Sequence, residues 1–150
     1  MTLLSTHSTS RPRRVAVLGV GAMGRRHVRV LSKMSDVYEL TGVFDADRGV
    51  AEEVARAWNV PVFYDAAACV NAADIVVIAS PIGAHAAGAR FALERGCHVL
   101  VEKPLCASLS EASVLVKTAA RHSALLFVGD RKSTRLNSSH SLLSRMPSSA

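Results

Sequence analysis

Two short segments of this chain carry residue types that do chemistry in company. The first is Gly19-Val20-Gly21-Ala22-Met23-Gly24, directly after the apolar run V-A-V-L at 15–18. The second is Glu102-Lys103-Pro104, directly after H-V-L-V at 98–101. The G-x-G-x-x-G spacing suits a dinucleotide pyrophosphate. Gly19 permits a tight turn, Gly21 lets the backbone approach the phosphates, and Gly24 lets a helix pack closely on a strand. A helix expected over about 23–34 would aim its free N–H groups and positive dipole end at the phosphates, with Ala22 and Met23 at its start. Glycines mark turns everywhere, so the pattern needs a strand before it and a helix after it. It has both.

Three more positions belong to the same chemistry. Asp45 ends an expected strand over 38–44, about 20 residues past Gly24, where an acid accepts hydrogen bonds from the adenosine ribose and repels a 2′-phosphate. NAD is favoured over NADP on that ground, although Arg48 keeps NADP open. The competing reading is that Asp45-Ala46-Asp47 caps the next helix. In Ser80-Pro81-Ile82-Gly83-Ala84-His85, His85 lies near a helix start, either in reach of a cofactor or simply solvated. Lys103 stands at a strand end, and a lysine so placed in a sheltered cleft can hold a substrate hydroxyl or tune its loss of a proton, whereas a surface ion pair with Glu102 is the plainer alternative.

The elements that must position these residues alternate strand and helix, as a doubly wound α/β sheet of the Rossmann type requires. Beyond the segments already named, helices are expected over 50–58, 85–95 and 110–122, with a helical turn or two over 65–70. Strands are expected over 60–64, 74–79, 98–101 and 124–129, the first with Pro61 at an edge. Gly96 is placed as the C-terminal cap of the helix before it. Crossovers between the parallel strands should be right-handed.

Composition agrees. With 150 residues, 49% of them hydrophobic, the chain is long enough for one domain with a real core. No stretch approaches the ~20 apolar residues that span a bilayer, and the N-terminus lacks the apolar part of a signal peptide. Cys69, Cys97 and Cys106 show no metal-ligand spacing and read as reduced thiols, mostly buried, in a cytoplasmic protein. The net charge of +6 sits at the two ends: Arg11, Arg13 and Arg14 at one, and Arg131, Lys132, Arg135 and Arg145 against Asp130 at the other. Charges between them balance, so no basic face points to nucleic acid.

The stretches G-V-G-A-M-G-R-R-H, A-S-P-I-G-A-H and G-C-H-V-L-V-E-K-P-L-C-A-S-L-S-E-A together resemble the Gfo/Idh/MocA family of oxidoreductases over about 14–129. The resemblance implies that Lys103 lies by the nicotinamide and assists proton transfer from a substrate hydroxyl. It implies a cis peptide before Pro104 and a place for His85 along the cofactor cleft. Substrates would be sugars, cyclitols or sugar nucleotides, oxidised at a secondary alcohol by hydride transfer to NAD(P). The stretch G-A-M-G-R-R-H-V-R-V-L leans towards members acting on nucleotide-linked amino sugars. Family members add an α+β domain that supplies an aspartate and a histidine and mediates oligomers.

The sequence departs from that pattern after Gly129. D-R-K-S-T-R-L-N-S-S-H has no apolar periodicity and matches a translated sequencing adapter, as does S-R-M-P-S-S-A at 144–150. The alternative is a genuine Ser-rich disordered tail. The expected organisation is a disordered arm over 1–13, a dinucleotide-binding domain over 14–129 and a disordered, non-native tail over 130–150. The expected function is that of an NAD-dependent dehydrogenase fragment, itself inactive, with Lys103 its catalytic residue; a non-catalytic NAD-binding sensor is the competing class.

Overall fold

The computed structural model describes residues 10–130. The expectations of disorder at 1–9 and 131–150, and of an adapter-derived tail, lie outside the described residues.

Five strands form one parallel sheet: β1 (Arg13–Leu18), β2 (Tyr38–Phe44), β3 (Ile75–Ile78), β4 (His98–Glu102) and β5 (Leu126–Gly129), in the order β2-β1-β3-β4-β5. Five α-helices connect them: α1 (Ala22–Ser32), α2 (Arg48–Trp58), α3 (Ala66–Asn71), α4 (His85–Glu94) and α5 (Leu109–Arg121). β1 starts at Arg13, one residue ahead of the expected domain boundary.

Alternation along the strands explains why both faces are buried. Val15 and Val17 of β1 join Val77 of β3 and Val43 of β2 in a core with Val28 of α1 and Val54 of α2. Their neighbours Ala16, Leu18, Val76 and Ile78 point the other way, into a core with Val99, Leu93 of α4 and Leu115 of α5. A parallel strand with helices on both sides has no solvent face, so it reads as continuous β-branched sequence.

Two expectations need correction. The strand expected over 60–64 is only an isolated bridge, Val43↔Val62. Pro61 has no N–H to donate, and pairing stops at Val43 N–H to Pro61 O (3.0 Å) and Phe63 N–H to Val43 O (2.8 Å). The strand before Gly129 begins at Leu126, because Ala124 is spent closing α5, its N–H donating to Ala119 O. Leu126 packs against the core that holds Leu93 of α4 and Leu115 of α5, while its neighbour Phe127 is 41% exposed.

At the amino end of the sheet, Arg14 and Asp74 tie β1 to β3. Arg14 NH2 donates to Asp74 Oδ1 at 2.8 Å, and Arg14 Nε and backbone N–H both donate to Oδ2 at 3.2 Å. The guanidinium holds the Asp74 carboxyl below the usual carboxylate range. A depressed native value means that the unfolded chain binds the proton first. The pair therefore supports the fold above the unfolded aspartate value of about 4 and is lost as pH falls below it. Thermal melts across pH 6 to pH 3 should show stability falling on the acid side, and Asp74→Asn should flatten part of that fall. An unchanged pH profile in Asp74→Asn would contradict this assignment.

Candidate functional site: the carboxyl edge of the sheet

All the singled-out residues stand at the carboxyl ends of strands, where β1 has β2 on one side and β3 on the other. That reversal of strand order leaves a crevice, the place where open α/β sheets bind ligands.

The three glycines of the first turn occupy three different environments. Gly19 has φ +84, and a Cβ on it would lie 2.3 Å from Ser80 N. Gly24 is equally confined: a Cβ there would meet Gly19 O at 1.9 Å. Gly21 is the opposite, with nothing within 4 Å of a Cβ. Gly21 is also the N-cap of α1 and supplies no side-chain hydrogen bond. By contrast, α2, α3 and α5 are capped by Asp47, Asp65 and Ser108, each accepting a backbone N–H. The first turn of α1, including Ala22 and Met23, thus starts without a capping side chain beside an open surface. Such a helix start is made for an anion.

Asp45 faces this turn from the end of β2. Its Oδ2 accepts the Val20 N–H at 2.8 Å, and its Oδ1 accepts the Asp47 N–H at 2.8 Å. The cap of α2 is therefore Asp47, through Val50 N–H at 3.2 Å, while Asp45 turns back to the glycine loop. A carboxylate has about four lone-pair sites, so two backbone bonds leave capacity for hydroxyl donors. Arg48 lies beside it with its Nε on Glu52 Oε1 at 2.9 Å and its guanidinium 4.1 Å from the Tyr64 ring centre. Arg25, also on α1, pairs with Glu53 at 2.9 Å and donates to Val20 O at 3.3 Å.

The second segment closes the same edge. The Lys103–Pro104 peptide is cis. Glu102 does not pair with Lys103. Its Oε1 lies 2.6 Å from His27 Nε2 of α1, with side chains 15% and 23% exposed respectively. A Cβ on Gly129 of β5 would lie 3.2 Å from the same oxygen, a tight contact that the carboxylate would have to ease by a small shift. Lys103 itself is exposed at the rim.

His85 is not solvated, contrary to the plainer expectation; it is 2% exposed. Its Nδ1 lies 2.8 Å from Pro104 O and its Nε2 2.6 Å from Ser80 O. Carbonyl oxygens only accept, so whichever ring nitrogen carries the hydrogen donates to one of these two carbonyls. His85 links the Ser80-Pro81 loop to the Lys103-Pro104 loop.

His27 was present in the G-R-R-H stretch but had no assigned role, because its partner lies 75 residues away. Of the thiols, Cys106 follows Pro104 by two residues, whereas Cys69 and Cys97 belong to the buried core. Cys69 and Cys97 are buried, Cys106 is partly so, and all three are free. Burial pushes the Cys69 thiol up to about 12, so it stays protonated and inert. Among the described residues no cluster of His, Cys, Asp and Glu could hold a metal, and no helix is long and apolar enough to cross a membrane.

The glycine environments separate fold from binding. Gly24→Ala should destabilise the domain by about 1–3 kcal/mol or more, since the new methyl meets backbone that cannot swing aside. Gly21→Ala should leave the melting temperature nearly unchanged, because its Cβ enters open space. Equal losses in the two variants would contradict the environments described.

Comparison with known proteins places this architecture. Residues 13–130 match the model of the family described as "Oxidoreductase family, NAD-binding Rossmann fold" (GFO_IDH_MocA). Glucose-6-phosphate 3-dehydrogenase of Bacillus subtilis is 32% identical over 117 residues, covering 78% of this chain and 33% of that protein. UDP-N-acetylglucosamine 3-dehydrogenase of Acidithiobacillus ferrooxidans is 34% identical over 119 residues, covering 79% of this chain and 37% of that protein. Its solved structure superposes with a TM-score of 0.75 at 32% identity, over 80% of this chain and 39% of that one. The structure of GenD2 from gentamicin A biosynthesis, in complex with NAD, also gives 0.75, at 30% identity over 81% of this chain and 35% of that one. The chain spans about a third of the length of the curated relatives it matches. It belongs to the GFO_IDH_MocA oxidoreductase family, and its described residues form that family's NAD-binding Rossmann domain.

Proposed function

We propose that this chain holds the nicotinamide dinucleotide of a dehydrogenase that oxidises a secondary alcohol of a sugar, cyclitol or sugar nucleotide. The observation that carries the reading is the junction of two chemistries at one edge. The uncapped, open start of α1 with Asp45 beside it suits a dinucleotide, and the same helix reaches Glu102, the residue before Lys103.

The residues present fit the cofactor. Gly19, Gly21, Ala22, Met23 and Gly24 would take the pyrophosphate at the helix start, and Asp45 the adenosine ribose hydroxyls. Ser80, Pro81, His85, Glu102 and Pro104 would shape the cleft towards the nicotinamide. The cofactor supplies the hydride acceptor when bound. Lys103 would hold the substrate hydroxyl and, in its neutral form, take its proton as the carbon–hydrogen bond is broken, a role worth about 10²–10⁴ in rate. Arg48, held by Glu52 and Tyr64, is the group that would meet a 2′-phosphate if NADP were used.

The substrate class is supported by the relatives, whose names specify a sugar phosphate and a UDP-linked amino sugar. The 150 residues by themselves should bind cofactor without turning over a sugar, since the family resemblance assigns the remaining acid–base and substrate-binding groups to a second domain. That domain is also where full-length relatives would associate. Free thiols support a cytoplasmic protein.

Cofactor choice tests the reading. NAD should bind this chain more tightly than NADP by about tenfold or more, because a carboxylate facing a 2′-phosphate costs at least ~1.4 kcal/mol. Asp45→Ala should narrow the gap. Calorimetric titration giving equal affinities, an NADP preference, or no binding of either would contradict it.

A further inference from the structure

Two helices each send one histidine to the segment that carries Lys103. His27, on α1, meets the side chain of Glu102 at 2.6 Å. His85, at the start of α4, meets the carbonyl of Pro104 at 2.8 Å. Glu102 and Pro104 are the two covalent neighbours of Lys103. The segment is thus fastened immediately before and immediately after the lysine, to different elements.

Those elements are the ones that open the cleft. α1 starts at the glycine turn, and α4 follows the Ser80-Pro81 loop, which His85 also holds through Ser80 O at 2.6 Å. Ser80 in turn presses on Gly19, whose missing Cβ would lie 2.3 Å from Ser80 N. A closed circuit results: glycine turn, α1, His27, Glu102, Lys103, Pro104, His85, Ser80 and back to the glycine turn. Neither histidine faces solvent freely, and neither is needed to fill a hydrophobic core. A histidine–carboxylate contact and a ring–carbonyl contact are directional, so they fix the segment's placement more sharply than apolar packing would.

We propose that His27 and His85 are positioning residues that set Lys103 against the bound dinucleotide, so that seating the cofactor on α1 fixes the lysine. This rests on the cofactor reading above. Lys103 has a flexible four-carbon stem, and its amine is only as well placed as the backbone that carries it. His27 acts through Glu102 and His85 through Pro104; neither need touch the cofactor.

The test uses the whole chain, NADH as probe, and acylation of Lys103 by a small amine-reactive anhydride, followed by mass spectrometry. In the unsubstituted chain, saturating NADH should slow acylation of Lys103 several-fold. His27→Leu should still bind NADH but lose most of that protection, and His85→Leu, compared at NADH concentrations that saturate it, should lose it too. His27→Gln, which returns an N–H near the Nε2 position, and His85→Asn, which returns one near Nδ1, should restore it; a purely structural role would show no such rescue. Leucine variants that bind NADH and protect Lys103 as the unsubstituted chain does would overturn the proposal while leaving the cofactor reading intact. If the unsubstituted chain does not bind NADH, the cofactor reading falls and the proposal with it. Should the leucine variants fail to fold, ring-nitrogen NMR of the unsubstituted chain decides. Both histidine ring signals should shift with the Lys103 amide as NADH saturates, and rings unmoved while that amide shifts would overturn the proposal.

Discussion

The arrangement of the carboxyl edge depends on one close approach between two stretches of backbone. The turn after β1 lies so near the exit of β3 that a single methyl on Gly19 would stand 2.3 Å from Ser80 N. The same turn leaves no room at Gly24, where a methyl would stand 1.9 Å from Gly19 O. Glycine at these two positions draws β1, α1 and the β3 loop together, and the sheet order then reverses across that junction. The crevice follows from the contact. Gly21, between them, keeps its side free, and so the surface left open is the N-terminal turn of a helix, with its unpaired N–H groups.

Polar contacts then set what stands around the opening. Asp45 spends two lone pairs on backbone N–H groups, which fixes the carboxylate and orients what remains. Glu102 is drawn off Lys103 by His27, so the lysine keeps an exposed amine rather than a neutralising neighbour. The opposite end of the sheet is held independently by Arg14 and Asp74.

Much of this was legible from residue type and spacing. The runs at 15–18 and 75–78 are continuous and apolar because both faces are covered, the pattern of a buried parallel strand. The glycine spacing, the acid after β2 and the E-K-P segment carry local signals, each readable within a few residues. What was not legible is long-range pairing. Nothing near His27 announces Glu102, and nothing near His85 announces that both ring nitrogens meet carbonyls, one of them 19 residues away. The Val60-to-Tyr64 stretch misled for a different reason. Its β-branched composition favours a strand, but Pro61 withholds the donor that a ladder needs, and only one bridge forms.

The central claim is that the glycine turn and the lysine segment form one site. The direct measurement is an NMR titration of the isotopically labelled chain with NAD, following backbone amides. The account predicts that Gly21, Ala22, Met23 and Lys103 shift along a single saturation curve with one dissociation constant. Shifts confined to the glycine turn, with Lys103 unmoved at saturation, would contradict it.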